Sequence, residues 1–227
     1  MYFVENKEVV FPGSLLTDNN LKTGNGTFKD NGKIFSNIMG FVYFESDKVH
    51  VIPFKDSYNP KYGDLVIGRV TNSSYSSWAI DLNTTYHGYL PTSELYDDNQ
   101  QSIYSIINVK DILLLRVANV DEINRIKLTI RSHGLGKFNQ GVIKKVKQPT
   151  IHFLSEENVF IISLIEKYLH TDVIVAKNGL IWINSKKENI SKVVEIIEFI
   201  DENPFMHNLV KKVQSIIINP RGNLSER

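Results

Sequence analysis

Three pairs of adjacent acidic residues are the first places in this sequence where catalysis or metal binding has to be considered. They are Asp97-Asp98, Asp121-Glu122 and Asp201-Glu202, and none is adjacent to a histidine or has the spacing of a metal-ligand motif. The six histidines are scattered, and no phosphate-binding glycine loop or nucleophile motif occurs. The sequence therefore predicts a protein that is not an enzyme, with no catalytic residues, no metal site and no cofactor.

Basic and aromatic side chains on strand-like segments in the middle of the chain are the second candidates for chemistry. His87 and Tyr89 flank Gly88, and strand alternation puts both side chains on one face. Four cations lie in or beside such segments, where each can either reach a phosphate or simply be solvated: Arg69, Arg116, Lys127 and Arg131.

The composition limits what these side chains can bind. The 227 residues carry a formal net charge of +1, so any nucleic-acid binding must come from local patches and stacking rather than from a general field. The absence of cysteine excludes disulfides and cysteine-based zinc sites. No apolar run approaches the roughly 20 residues of a membrane helix, and we expect neither a secretory leader nor a membrane partner.

The patterning predicts a multidomain protein, β followed by α+β. Residues 1–57 indicate a small β-domain of short strands and turns. Residues 58–134 contain five strand-like segments with a polar excursion at 96–105, which fits a five-stranded barrel. The five segments are 65–70, 78–82, 88–90, 112–120 and 125–130.

The hydrophobic period changes after the glycine-rich linker at 134–141. Residues 135–220 predict an α+β module in the order β-α-β-β-α-α, and 221–227 a flexible tail. The first helix is expected at 156–170, and the two later strands turn at Lys177-Asn178-Gly179. The apolar stripe of that first helix is predicted to be Val159, Ile162, Ile165 and Leu169.

Three stretches, in their order and spacing, carry a resemblance to a known family. They read FPGSLL at 11–16, GNGTF at 24–28, KIFS at 33–36 and Gly40; then YGDLVIGRV at 62–70, WAIDL at 78–82 and HGYLPTSEL at 87–95; then KNGLIWI at 177–183. Together they resemble the S1/KH-type RNA-binding cap subunit of the exosome in its archaeal-like form. The resemblance covers nearly the whole chain.

That resemblance implies a fold and partners. The fold would be an N-terminal β-domain, a central S1 (OB-fold) barrel and a C-terminal KH-like module of type I. In the family the β-domain docks on a ring of RNase PH-like subunits, several copies form a cap, and the cap guides RNA 3′ ends inward without doing chemistry. The implied partners are single-stranded RNA and the ring, with no DNA. The implied location is the cytoplasm, or nucleus and cytoplasm for a eukaryotic protein.

The resemblance also implies where RNA would touch the chain. Tyr75 and Trp78 lie around the start of the second barrel strand, where the family places stacking aromatics, although Trp78 can instead fill the barrel core. A KH module grips the phosphate backbone with a G-x-x-G loop, and no glycine occurs from Val142 to Asn178. The turn Lys177-Asn178-Gly179 is the family-like piece that remains, either as an RNA contact or as a hairpin turn without a ligand.

Two other functions stay open at this point. One is a free-standing S1/KH protein that binds single-stranded RNA in connection with translation; the near-neutral charge and missing G-x-x-G loop count against it. The other is an assembly factor whose modules mainly hold proteins together.

Overall fold

A computed structural model describes residues 1–53, 58–95, 107–123, 125–203 and 208–218. The chain divides into two compact units, Met1–Asp56 and Ser57–Arg227. The polar excursion at 96–105 and the tail at 221–227 lie outside the described residues. Within the described residues, no helix is both long and apolar enough to cross a membrane.

The N-terminal unit contains two small sheets packed on one core. One sheet has the order β1-β6-β7-β3 and the other β2-β5-β4; all pairings are antiparallel except β3 with β7. The expected small β-domain is confirmed. Its core consists of Val10, Leu16, Ile34, Val42, Val49 and Val51. The strands are β1 (Val9–Val10), β2 (Leu15–Thr17), β3 (Lys22–Thr23), β4 (Thr27–Asp30), β5 (Lys33–Ser36), β6 (Gly40–Phe44) and β7 (Lys48–Pro53).

The second unit begins with a closed five-stranded barrel, as predicted. The pairing order is β12-β10-β9-β8-β11, and β12 also pairs with β11, so the sheet has no free edge. Alternate side chains point inward and form the barrel core, which includes Trp78, Ile80 and Leu90. The strands are β8 (Leu65–Ser73), β9 (Ser77–Asp81), β10 (His87–Pro91), β11 (Ile112–Val120) and β12 (Arg125–Thr129). A 3₁₀ turn (Thr92–Leu95) follows β10, and β13 (Gly136–Lys137) pairs with β11.

The C-terminal module packs helices on a three-stranded antiparallel sheet of order β14-β16-β15. Its core contains Ile165, Val173, Ile183 and Val193 among others. The predicted α+β class is confirmed. The elements are β14 (Val142–Lys145), α1 (Gln148–His152), a π-helical turn (Phe153–Glu157), α2 (Phe160–Leu169), β15 (Asp172–Val175), β16 (Leu180–Asn184), α3 (Lys187–Glu202) and α4 (Leu209–Ile218).

The helix expected at 156–170 is α2, which lies inside those bounds but starts four residues later than expected. The chain is already helical from Gln148, where Pro149 supplies the fixed φ that suits a first helical turn. At Asn158 the backbone leaves the helical region (φ −134°), and α2 starts two residues later. The predicted stripe is confirmed at Ile165 and Leu169, which are buried, but Val159 is 54% exposed and Ile161 takes an inward position that was not predicted.

Candidate nucleic-acid interface

The outward side chains of β8, β9, β10 and β12 form one continuous surface of the barrel, which we call the outer face. Strand register aligns Asp81 with both Arg69 and His87, and aligns His87 with Arg125. All four of these residues are exposed. Because directly paired residues on one face are close neighbours, the Asp81 carboxylate lies between Arg69 and the His87 imidazole, and Arg125 lies beside His87.

A second row of the outer face carries an aromatic ring beside a cation. Tyr89 pairs with Ala79 on one side and with Lys127 on the other. Ala79 is small and exposed, and Tyr89 is half-buried. Gly88, between His87 and Tyr89, points inward, where an added Cβ would lie 2.9 Å from Leu128 Cδ1. Glycine at this position therefore leaves room for the side chains that fill the barrel beneath the outer face.

Five barrel cations differ in how firmly they are already held: Arg69, Arg116, Arg125, Lys127 and Arg131. Arg116 Nη1 donates to the Gly63 carbonyl at 2.7 Å. Arg125 Nε lies 3.2 Å from Asp121 Oδ2, whose other oxygen accepts the Arg125 and Ile123 backbone N–H groups.

Arg131 is also engaged, whereas two cations are not. Arg131 Nη2 donates to the Ser93 carbonyl at 2.5 Å, and its Nε lies 3.6 Å from the Glu94 carboxylate. Among described residues, Arg69 and Lys127 form no ion pair. These two cations on the outer face are therefore the ones most available to neutralise a phosphate.

The chain ahead of β8 is fixed by a buried tyrosine. The Tyr58 hydroxyl donates to Asp64 Oδ2 at 2.6 Å, and the same oxygen accepts the Lys61 N–H at 2.9 Å. Burial, and then the bond to Asp64, raise the pKa of Tyr58 above its ordinary value. This contact holds the segment that carries the Gly63 carbonyl, to which Arg116 donates.

Residues 74–77, which we call the serine turn, connect β8 and β9 and hold Tyr75 at the surface. Tyr75 is 90% exposed. The loop between the first two strands is one of the places where OB-folds contact oligonucleotides. An exposed aromatic ring at this position can stack on any base, because every base has a π-face.

Trp78 takes the other course that the sequence left open. Its side chain is completely buried in the barrel core, on the same inward side as Ile80. The strand alternates, so Ala79 between them faces outward. Trp78 therefore supports the barrel and presents no ring to solvent for stacking.

Residues 176–179, which we call the Asn-Gly turn, lie against the barrel rather than in solvent. Asn178 is only 1% exposed, and its amide donates to the carbonyls of Ile67 (2.7 Å) and Leu82 (2.8 Å) while its oxygen accepts the Ile67 N–H (3.1 Å). The Lys177 N–H donates to the Leu65 carbonyl at 2.9 Å. The Asn178 amide thus satisfies both the N–H and the carbonyl of Ile67 on β8, as the backbone of a neighbouring strand would.

Gly179 fixes the other side of the Asn-Gly turn to β14's own module through its backbone. Its φ of +79° is in the left-handed region, and its carbonyl accepts the Val146 N–H at 2.9 Å. The Lys177 side chain also stays within the module, where Nζ lies 3.3 Å from the Ser155 hydroxyl. The Lys177 backbone and the Asn178 amide therefore hold the two modules together, whereas Gly179 bonds within its own module, and the Asn178 amide has no surface left for RNA.

An apolar cluster reinforces the same junction. Ile67 and Leu114 on the outside of the barrel are buried against Ala176, and Leu65, Ile112, Ile174 and Trp182 are among the partly buried residues that surround them. The Trp182 ring stacks on Phe138 with centroids 4.5 Å apart, and its Nε1 donates to the Gln140 carbonyl. The barrel and the C-terminal module are packed as one body.

The segment that would hold a G-x-x-G loop runs between α1 and α2 and reads FLSEENV at 153–159. Phe153 and Leu154 are buried there, and the chain continues as a π-helical turn instead of an open glycine loop. This geometry agrees with the expected loss of the backbone grip.

The acidic pairs considered for chemistry are partly accounted for by structure. Asp201 Oδ1 accepts from the Thr150 hydroxyl and the Lys147 N–H, both at 2.7 Å, and Asp121 braces the β11–β12 turn. Asp97 and Asp98 lie outside the described residues. Within the part of the chain that the structure describes, no three His, Cys, Asp or Glu residues cluster as metal ligands.

Sequence reasoning missed the residues that position the candidate contacts. Ser74, Thr92 and Glu94 lie around Tyr75 and Arg131 but were not singled out. The run Ser-Ser-Tyr-Ser-Ser at 73–77 carried the only local signal, since serine hydroxyls commonly bond to nearby backbone in turns.

Comparison with known proteins places this architecture in one family. A family model described as the exosome RNA binding protein RRP4 N-terminal domain matches residues 7–55. The chain is 69% identical to the exosome complex component Rrp4 of Methanosphaera stadtmanae over 97% of this chain and 100% of that one. It is 36% identical to Rrp4 of Methanobrevibacter smithii over 95% of this chain and 72% of that one.

A solved structure agrees in fold. A crystal structure assigned provisionally to an exosome complex RNA-binding protein superposes with a TM-score of 0.65 at 23% identity, covering 73% of this chain and 98% of that chain. At that identity the likeness concerns the fold, whereas the two relatives above share the sequence along almost the full length of this chain. The chain belongs to the Rrp4 family of exosome complex components.

Proposed function

We propose that this chain is the RNA-binding cap subunit of an archaeal exosome and guides RNA 3′ ends into the complex. The observation that carries the proposal is the 69% identity to an exosome complex component over nearly the whole chain. Rrp4 is a non-catalytic subunit, so the degrading chemistry belongs to its partners.

The proposed partners are single-stranded RNA and a ring of RNase PH-like subunits. The N-terminal β-domain, to which the family model matches, docks on that ring, and several copies of the chain form the cap. The complex acts on RNA rather than DNA and works in the cytoplasm. The domain limits proposed from the sequence are 1–57, 58–134 and 135–220.

The outer face and the serine turn are the proposed RNA contacts. Tyr75 and Tyr89 supply aromatic rings for stacking. His87 lies on β10 between Tyr89 and the acidic β11–β12 turn. Arg69 and Lys127 supply positive charges that form no ion pair among the described residues. Arg116 and Arg131 contribute less, because both are already bonded within the chain. The C-terminal module acts through the barrel that it supports, since its turn is buried.

Affinity purification of the tagged chain from its native cells tests the assembly. We expect mass spectrometry to recover RNase PH-like subunits in stoichiometric amounts. Recovery of ribosomal or translation proteins without the ring would instead support the free-standing RNA-binding protein.

Reconstitution then separates an RNA guide from an assembly factor. The ring should degrade a single-stranded RNA faster with the wild-type chain than with a variant that combines Arg69→Ala, Tyr75→Ala and Lys127→Ala. If that variant assembles with the ring and stimulates degradation as well as the wild type, the chain is an assembly factor and the outer face is not an RNA path.

A further inference from the structure

The serine turn is closed by its own hydroxyl and backbone groups. The Ser74 N–H and hydroxyl both donate to the Ser77 carbonyl, at 2.9 and 2.8 Å, and the Ser77 N–H donates back to the Ser74 hydroxyl at 3.2 Å. Three bonds across four residues leave the backbone on both sides of Tyr75 little freedom.

Thr92, directly after β10, fastens this turn to the end of that strand. The Thr92 N–H donates to the Ser76 carbonyl at 2.9 Å, and its hydroxyl donates to the same oxygen at 3.2 Å. Thr92 starts the 3₁₀ turn that contains Glu94, whose carboxylate accepts from the Thr129 hydroxyl and faces Arg131. The turn is therefore connected through Thr92 to the end of β12.

The exposed Tyr75 ring on a fixed turn is suited to stacking on a flat ligand. At 90% exposure, Tyr75 keeps most of its ring area in solvent, where a ligand can reach it. A fixed backbone lowers the entropy lost when the ring is immobilised by a ligand. Flat ligands that accept a ring from one side, such as nucleobases, gain most from this arrangement.

We infer that the serine turn is a preorganised base-stacking platform and that Thr92 is its positioning residue. The inference rests on the proposed RNA-binding function and adds how the Tyr75 ring is held. The ring stacks on whichever base reaches it, because the turn offers a face rather than a base-specific pocket. Thr92 touches no RNA and acts only by fixing the Ser76 carbonyl.

A double-mutant cycle on the full-length chain tests this. Affinity is measured by fluorescence anisotropy with a labelled oligoadenylate of about ten nucleotides, which one OB-fold can span, in about 50 mM salt, where phosphate contacts are strongest. The variants are Thr92→Val, Tyr75→Ala and the double. Thr84→Val is the matched control, because its hydroxyl bonds only within the turn at the opposite end of β9.

We expect Tyr75→Ala to weaken binding about tenfold and Thr92→Val to weaken it about threefold. In the Tyr75→Ala background, Thr92→Val should have no further effect, and Thr84→Val should match the wild type. Ser74→Ala, which removes two of the turn's bonds, should repeat the Thr92→Val pattern and stands in if Thr92→Val unfolds.

Equal losses from Thr92→Val with and without Tyr75 would overturn the inference, as would no loss at all. Absence of measurable RNA binding by the wild-type chain would overturn it too. The proposed function is judged separately, by whether the chain recovers the ring subunits from cells.

Discussion

Two polar hairpin turns in one compact unit have opposite surroundings. The serine turn connects β8 and β9 and exposes its central side chain, whereas the Asn-Gly turn connects β15 and β16 and buries its own. The serine turn is closed by its own bonds and fastened by Thr92, whereas the Asn-Gly turn bonds to the backbone of the barrel. Turn composition alone therefore does not distinguish a turn that is proposed to contact a ligand from one that joins two modules. The difference lies in the surroundings of the central side chain, which is solvent for Tyr75 and the barrel for Asn178.

The largest expected effect separates the two turns by stability. Asn178→Leu leaves the Ile67 N–H and the Ile67 and Leu82 carbonyls without their amide partner in a buried place. We expect a loss of about 3–5 kcal/mol in the free energy of unfolding, measured by urea denaturation. Asn184→Leu is the control, because its amide bonds only to Asp172 at the surface, and should cost less than about 0.5 kcal/mol.

Equal losses from the two asparagine variants would contradict the clamp. RNA affinity, measured at a temperature where Asn178→Leu is still folded, should fall less than for Tyr75→Ala, because Asn178 bonds to the backbone of the barrel and not to the side chains proposed to contact RNA.

The second prediction is the reverse of the first: a large change in RNA affinity and little change in stability. Tyr75→Ala should raise the Kd for single-stranded RNA about 5- to 150-fold, since stacking on one ring contributes about 1–3 kcal/mol. Its stability should stay within about 0.5 kcal/mol of the wild type. Tyr62→Ala, which removes a similarly exposed tyrosine (83%) from the segment before β8, should leave affinity unchanged. If both variants bind equally well, the serine turn is not a contact.

A smaller effect is expected from the uncommitted cations. Arg69→Ala and Lys127→Ala should each weaken RNA binding about fivefold at low salt, and each should reduce the slope of log K against log salt by about 0.7. Lys186→Ala, an exposed lysine of the C-terminal module, is the control. An unchanged salt slope in both variants would show that the outer face makes no phosphate contact.

The smallest effect concerns a cation that is already held. Arg131→Ala should change RNA affinity less than about twofold, because the guanidinium donates to the Ser93 carbonyl and lies near Glu94. Anisotropy titrations beside Arg69→Ala check this order. A larger loss for Arg131→Ala would mean that RNA displaces Glu94 from the arginine.

The sequence predicted the fold well where apolar and polar residues alternate with the period of a β-strand. Alternation predicted all five barrel strands to within a few residues, and the family resemblance is confirmed by the identity to Rrp4 proteins. The same alternation, through Ile80, indicates the inward position that Trp78 takes. The start of α2 was missed because Ile161 and Val159 fit helical stripes of neighbouring phase, and only the break at Asn158 decides between them.

Long-range contacts were beyond local reasoning. The Asn178 amide meets Ile67, 111 residues earlier, and nothing around Asn-Gly distinguishes that turn from an exposed one. Likewise, Arg69 and Arg131 look equivalent along the chain, and only the folded positions of Ser93 and Glu94 separate them.

The buried amide of Asn178 also has a consequence for motion in solution. A barrel joined to a second module by a flexible linker would tumble partly on its own, with its own rotational diffusion. Here the amide bonds and the apolar cluster around Ala176 remove that freedom. Backbone amides of β8–β12 and of α2–α3 should therefore report one rotational correlation time in NMR relaxation, and the orientation of the outer face is set by the whole second unit.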